Sequence, residues 1–454
     1  MAQLKLEELL GLAEKSVGLA LKNGAAEAEV YTYQGFGTSV GIERGQIVRS
    51  SRIVDGGLGI RSVVNKAVGF AYTNILEDKS AIEEAAAKSV GAAKAGKPDA
   101  DWRGFPGKKP YSVVKHGYDK RVVDLRAEDL VRIAGRMLSE AETTDKRALA
   151  VEGGASASHL YGAIANSNGV AGADRASFVE CSLATVGNDK GEVSPVCFEF
   201  NLDRCFCVHP EWVGKEAARL AVSALKAKNI ETKNMSVIFV QTALQELFAY
   251  TLINAVKADF VQRNQSAFKG KIGEKVASEV LSIYDDGLLE GGLRTGMFDG
   301  EGVPQRKTSI IEKGVLRGFI YDNYAARKDG RESTGNASRA GYLSTPGVEA
   351  TNFRVVSGRK SADELVRDVD DGLIVYSLQG AHSSNPASGE FSVVAAPAWR
   401  IEKGAISYAV KGAMLSGNVF DLLKNVTVLA NNTRQAGVLV APWVLVENVK
   451  VVGK

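Results

Sequence analysis

The chain has 454 residues, 45% hydrophobic and 24% charged, which is an ordinary globular composition with room for two or three domains. Lys and Arg number 56 against 53 Asp and Glu, a net charge of +3, so no broad field draws nucleic acid or a membrane surface, and neither disorder nor a fibrous repeat is indicated. No apolar run approaches the roughly 18 residues of a spanning helix, and Cys181, Cys197, Cys205 and Cys207 cluster in one stretch instead of stapling the chain; a reducing, cytoplasmic compartment is the expectation.

The first 230 residues read as one unit written twice. Leu6, Leu9, Leu10, Ala13, Val17 and Leu21 share a helical face that stops at Asn23-Gly24. Strands follow at 28–33, 38–43, 47–52, 57–64 and 67–73, and a second helix turns Ile82, Ala85, Ala86, Ser89, Val90 and Ala93 inward. After the linker FPGKKP (105–110), with Lys108-Lys109 read as solvated, Leu130, Ile133, Ala134, Met137 and Ala141 open the second copy. Strands then run from Ala148 to about Phe206, broken at NSNG and GNDKG, and Trp212, Val213, Ala217, Leu220, Ala221 and Leu225 form a closing helix.

From Met235 the pattern changes to one strand, a helix over 243–256 with Leu244, Leu247, Phe248, Leu252 and Ile253 inward, and then many short β segments. Two of these turn on the same tripeptide, Glu312-Lys313-Gly314 and Glu402-Lys403-Gly404, which suits tight hairpins. The predicted fold class is α+β: a duplicated helix, antiparallel-sheet, helix N-terminal domain over 1–232 (repeats about 1–104 and 111–232), then a mostly antiparallel β C-terminal domain over 233–454.

The stretch 259–342 packs acidic, amide and basic side chains between glycines, a density expected where backbone approaches a ligand or another backbone. Its DDG (Asp285 to Gly287), FDGEG (Phe298 to Gly302), the Glu312-Lys313-Gly314 hairpin and TGN (Thr334 to Asn336) resemble the TldD/PmbA family, formerly called modulator of DNA gyrase. The resemblance extends to GAAEAEVYTY near the start and LSGNVFDLLKN near the end.

In that family the TldD branch carries HExxxH on the helix before the DF element, and a later cysteine completes a zinc site. Here the helix reads ALQELFAYTLINAVKADF. One register puts Gln245-Glu246 and Tyr250 at the motif; the other puts Ala249 and Asn254 there. No histidine occurs between His209 and His382, and no cysteine follows Cys207. The chain thus resembles the TldE (PmbA) branch, whose members pair with a TldD subunit to form a protease. The resemblance implies no metal and no catalytic residue in this chain, zinc in a TldD-like partner, and unfolded peptide as substrate, with a homodimer in isolation left open. Asp299, Glu301, Arg306, Arg327, Asn336 and Arg339 are expected to line the interface or the peptide route.

Other reactive residues carry blander readings. Glu246 is read as a surface or interface carboxylate, because a base needs a metal or nucleophile within reach. Cys205, Cys207 and His209 alternate as on a strand, where same-face neighbours lie about 6.5–7 Å apart, too far to ligate one zinc together, and the cysteines are read as small buried hydrophobes. Asp285-Asp286 and Asp299 with Glu301 are read as turn residues beside glycine, and His382-Ser383-Ser384 as a loop. His116 and His159 show no partner pattern. A self-sufficient metal-independent hydrolase and a non-enzymatic binding protein remain as alternatives.

Overall fold

The computed structural model describes residues 3–453. The first repeat runs α1 (Leu6–Lys22), β1 (Glu27–Glu43), β2 (Gln46–Val64), β3 (Ala67–Thr73) and α2 (Lys79–Ala95). The second runs α3 (Lys120–Val123), α4 (Ala127–Thr144), β4 (Ala148–Asn166), β5 (Ala171–Asp189), β6 (Glu192–Val193), β7 (Cys197–Asp203) and α5 (Pro210–Ser223). All their strands make one sheet in the order β3-β2-β1-β4-β5-β6, with β7 also on β5. The first strands of the two repeats, β1 and β4, pair antiparallel at its centre, from Glu29 opposite Asn166 to Glu43 opposite Glu152. The order helix, antiparallel strands, helix is thus repeated on either side of that ladder.

The short strands expected from the sequence are corrected here: 28–33 and 38–43 are one strand, and so are 47–52 and 57–64. Gly35 is opposite both Asp55 and Leu160, so neighbours on each side hold it extended, and no proline removes a ladder donor. Ala28, Val30, Phe36, Val40 and Ile42 of β1 share one face with Ala155, Ala157, Tyr161, Ala163 and Ala165 of β4. Helices α1 and α2 cover one half of this face, α4 and α5 the other. In α1 the buried stripe is Leu9, Ala13, Val17 and Ala20, while Leu21 is exposed. The predicted inner positions of α2 and α4 are all buried. In α5 Trp212 points outward, a correction to the predicted face, and Leu225 is buried beyond the helix end.

The opposite sheet face receives the C-terminal domain. At Gly57 and Gly59 a Cβ would come within 2.4 Å of the Tyr342 ring and 2.3 Å of its carbonyl oxygen, so only glycine permits this approach. That domain begins β8 (Lys233–Phe239), α6 (Gln241–Tyr250), α7 (Leu252–Ala255) and α8 (Ala258–Gln262), followed by β9 (Ile283–Asp286), β10 (Lys307–Glu312), β11 (Val315–Leu316) and α9 (Asn323–Lys328). Its strands are mostly antiparallel; β8 with Asp371–Val375, and Phe353–Val355 with Leu439–Ala441, are parallel. Both predicted hairpins are present, with Lys313 and Lys403 at φ 47° and 50°.

Strand β8 alternates between two cores. Val237 and Phe239 enter the C-terminal core, whereas Ile238 meets Leu220 and Ala221 of α5, so the second repeat is joined to the C-terminal domain by apolar contact. The single helix predicted over 243–256 is broken at Thr251 (φ −127°, ψ −86°), whose Oγ1 donates to the Leu247 carbonyl at 2.6 Å; a hydroxyl competing for a helical carbonyl favours such a bend. Among the described residues no helix is long and apolar enough to cross a membrane.

Candidate functional site

Helix α6 opens directly onto a cleft of about 420 Å³ between the second repeat and the C-terminal domain. Gln241, Gln245 and Glu246 face it from the helix, Phe198, Phe200 and Trp212 from the second repeat, and Arg434 and Trp443 from the far wall. Gln241 is clamped at both ends: its Oε1 accepts from Trp443 Nε1 at 3.0 Å and its Nε2 donates to the Asn432 carbonyl at 2.6 Å. Gln245 Oε1 accepts the Leu439 N–H at 3.0 Å. Glu246 accepts from Ser377 Oγ at 2.9 Å and from the Leu378 N–H. Burial raises its pKa above the usual carboxylate range, against those two donors.

Arg434 supplies the charge of the opposite wall. Its Nη2 donates to Glu199 Oε1 and the Phe200 carbonyl, both at 2.5 Å, and its guanidinium lies 4.7 Å from the Phe200 ring centroid and 5.0 Å from that of Trp212. Burial raises the Glu199 pKa, with Arg434 opposing. The result is an aromatic-sided cleft with Glu246 and the Arg434–Glu199 pair on its walls. No sequence pattern joins Trp212 to Arg434 and Trp443, which share one stretch near the other end of the chain; the outward Trp212 was the available signal, had its helical face been assigned correctly.

The other motif-register positions do not join this group. Tyr250 is exposed, its ring 6.4 Å from His382. Beyond the break at Thr251, Asn254 donates from Nδ2 back to the Ala249 carbonyl at 3.3 Å.

The six expected route residues lie elsewhere, mostly in a buried network joining the first repeat to the C-terminal domain. Arg61 on β2 bridges two carboxylates: Nη2 lies 2.9 Å from Glu29 Oε2 and 2.8 Å from Glu301 Oε1. Glu301 Oε2 accepts the Asn323 N–H at 2.8 Å. Arg339 reaches Glu29 and donates to the Gly300 carbonyl at 2.7 Å. Asp299 accepts from the N–H groups of Glu301, Val303 and Ala337, each at 2.9 Å; burial and the Glu301 charge push its pKa up to about 8. Asn336 donates to Asp285 Oδ2 at 2.6 Å and to the Glu349 carbonyl. Arg327 is half-buried and holds the 103–105 backbone, donating at 2.5 Å to the Arg103 carbonyl. Arg306 is exposed.

Several expectations are corrected. Asp285-Asp286 is no turn: both residues end β9, and buried Asp285 accepts from Thr351 N–H and Oγ1 at 2.8 Å, its pKa pushed by burial up to about 6. Cys205, Cys207 and His209 are not on a strand, because β7 stops at Asp203, whose side chain accepts the Cys205 N–H at 2.8 Å, and Pro210 begins α5. Cys181 and Cys197 are buried, their thiols pushed up to about 12 by burial, but Cys207 is exposed and Cys205 half-buried. The Lys108-Lys109 pair is exposed as expected, yet Phe105 before it is fully buried under Arg61. His382-Ser383-Ser384 forms a loop turn, with Ser383 Oγ donating to the Gly380 carbonyl. His159 stacks on Phe36 at 5.0 Å.

Three domain descriptions of one family match this architecture in order: PmbA/TldA metallopeptidase domain 1 over residues 28–93, the central domain over 120–225, and the C-terminal domain over 232–453. The chain belongs to the PmbA/TldD family. Its structure is similar to that of TldE from Thermococcus kodakarensis, with a TM-score of 0.92 and 28% identity, covering 97% of this chain and 100% of that one. In sequence it is 32% identical to the uncharacterized protein MJ0231 of Methanocaldococcus jannaschii, over 95% of this chain and 98% of that protein. It is 26% identical to the metalloprotease PmbA of Escherichia coli O157:H7, over 97% of this chain and 95% of that protein.

Membership in a metallopeptidase family raises the question of whether the cleft beside α6 fits zinc. Its donor set does not. Zinc takes imidazole, thiolate and carboxylate, whereas Gln245 offers a neutral amide oxygen already bonded to Leu439, and Glu246 is occupied by Ser377 and Leu378. Tyr250 lies apart on the surface. Among the described residues no group of three or more His, Cys, Asp or Glu is placed to hold a metal ion.

Proposed function

We propose that this chain is a metal-free, non-catalytic TldE-like subunit of a cytoplasmic TldD/TldE-type zinc protease that processes unstructured peptides. The observation that carries this reading is the cleft beside α6, whose helix presents an amide and an already bonded carboxylate, Gln245 and Glu246, at one of the two registers where a zinc motif would fall. The likeness to the T. kodakarensis TldE supports it. In this reading a TldD-like partner supplies zinc and the activated water, and this chain completes the enclosure that admits extended peptide.

The cleft is suited to holding such a chain. Phe198, Phe200 and Trp212 offer apolar faces, and β7 lies beside it as a short strand whose paired neighbour is β5; an extended peptide gripped through main-chain bonds and side-chain pockets needs these features. Asp299, Glu301, Asn336 and Arg339 lie away from this cleft, in the buried network that holds the C-terminal domain against the first repeat, while Arg306 and the half-buried Arg327 meet solvent.

Metal content and peptidase activity are measured on the chain alone, on the TldD-like protein from the same source, and on their mixture. Zinc-dependent cleavage that appears in the mixture, with no stoichiometric metal or activity in this chain alone, is the expected result. Peptide cleavage by the isolated chain that resists chelators refutes the reading.

A further inference from the structure

Arg204, just after β7, is 3% exposed, and its hydrogen bonds go to backbone carbonyls. Nη1 donates to Thr295 at 2.5 Å and Gly292 at 3.3 Å, and Nη2 to Gly117 at 2.6 Å, while Nε is buried with no partner. Carbonyls satisfy N–H groups without cancelling a charge, and a buried cation without a counter-ion is costly. Asp174 and Asp203 act on it from beyond hydrogen-bonding distance; Asp174 is itself occupied, accepting the Arg175 N–H at 2.8 Å and the Met297 N–H at 3.3 Å.

Arg204 stands between two adjoining cavities of about 220 and 240 Å³, both of which Asp174 and Arg175 also line. The first lies in the seam between the outer sheet face and the 293–300 loop, and Arg294 and Arg339 reach it as well. Arg339 is balanced by Glu29. Arg175 and Arg294 are exposed and form no ion pair among the described residues; Arg175 rests over the Tyr118 ring at 4.1 Å. Asp299, on the same wall, points its oxygens at three backbone N–H groups. Four guanidinium groups therefore line this space, of which Arg339 is paired with Glu29, and Asp174 and Asp299 are the carboxylates beside them.

We propose that this seam is a carboxylate-binding pocket whose ligand is the C-terminal carboxylate of a peptide, with Arg204 as the buried floor and Arg175 and Arg294 at the rim. Guanidinium forks match a carboxylate in charge and geometry; Arg175 and Arg294 supply the forks, Arg204, whose Nη atoms are already bonded to carbonyls, supplies charge, and the small volume admits a chain end and excludes a folded domain. The peptide part of the assignment rests on the peptide-handling function proposed above; the anion pocket does not.

The test is calorimetric titration of the full chain with a short unstructured peptide bearing a free C-terminus, with the same peptide amidated, and with inorganic phosphate. The free acid binds, amidation weakens it at least about tenfold, and phosphate competes with the acid. Arg175→Ala and Arg294→Ala, both at exposed positions, each weaken the acid about tenfold and leave the thermal midpoint unchanged. Equal binding of acid and amide, phosphate binding without acid binding, or unchanged affinity in either variant overturns the proposal. No partner subunit enters these titrations, so failure of the two-subunit reading leaves their outcome intact.

Discussion

Arg61 is the residue on which the seam between the first repeat and the C-terminal domain depends, because two buried carboxylates, Glu29 and Glu301, share its guanidinium. Removing one member of such a set leaves uncompensated charge in a poorly solvated place. Arg61→Ala therefore lowers unfolding free energy by about 3–5 kcal/mol, whereas Glu301→Gln, which keeps an acceptor for the Asn323 N–H, costs about 1 kcal/mol. Denaturant titration of both variants checks the ratio; equal losses refute the shared-charge account. The pH profile belongs to the same residues. Burial raises Asp285 to about 6 and Asp299 to about 8, above the 3.8 of an unburied Asp, so the folded chain binds more protons than the unfolded one between those limits. These groups make stability fall as pH rises from about 4 to about 8 and level off above. Midpoints of chemical denaturation across that window measure it, and a profile rising throughout contradicts it. Residue types in the 259–342 stretch marked Glu301 and Arg339 as unusual, but their partners lie 240 and 310 positions away, a pairing no local pattern encodes.

At the scale of elements, helices were legible wherever one face is apolar and the other charged, as in α2 and α4. The long strands were not, because glycine reads as punctuation along the chain while the ladder on each side overrides it. Thr251 escaped for the opposite reason: it sits inside an apolar helical rhythm, and a single side-chain hydrogen bond interrupts the helix. The cleft beside α6 was half legible, through Gln245 and Glu246, and its far wall came only with tertiary structure. Helix packing gives a paired prediction. A Cβ on Gly214 of α5 would lie 2.1 Å from the Met137 carbonyl oxygen of α4, whereas one on Gly91 of α2 meets nothing within 4 Å. Gly214→Ala is expected to cost about 1–3 kcal/mol or more by overpacking and Gly91→Ala to gain about 0.5–1 kcal/mol from helix propensity. Thermal denaturation of the two variants should move in opposite directions.

For the whole molecule, the duplication was legible as a repeated order of elements, but the way the copies join was not. Periodicity specifies which face of a strand is buried and says nothing about which strand lies beside it. The join predicts how the chain responds to cutting. Lys108 and Lys109 are exposed, while the β1–β4 ladder runs from Glu29 to Glu43 across the break. A trypsin nick there should leave both fragments co-eluting as one particle under native conditions, with separation only in denaturant; fragments that part without denaturant would show that the ladder does not hold the repeats together.

The same central ladder has a consequence during synthesis. Strand β1 leaves the ribosome with one edge unpaired, since its partner β4 is encoded roughly a hundred residues later, and at about 5–20 residues per second that edge waits on the order of 5–20 s. An open edge is a template for pairing with any neighbouring nascent chain. The strand carries Gly35 and Gly37 in its middle and Glu29, Gly41 and Glu43 toward its ends, a composition that makes it a poor template until β4 arrives.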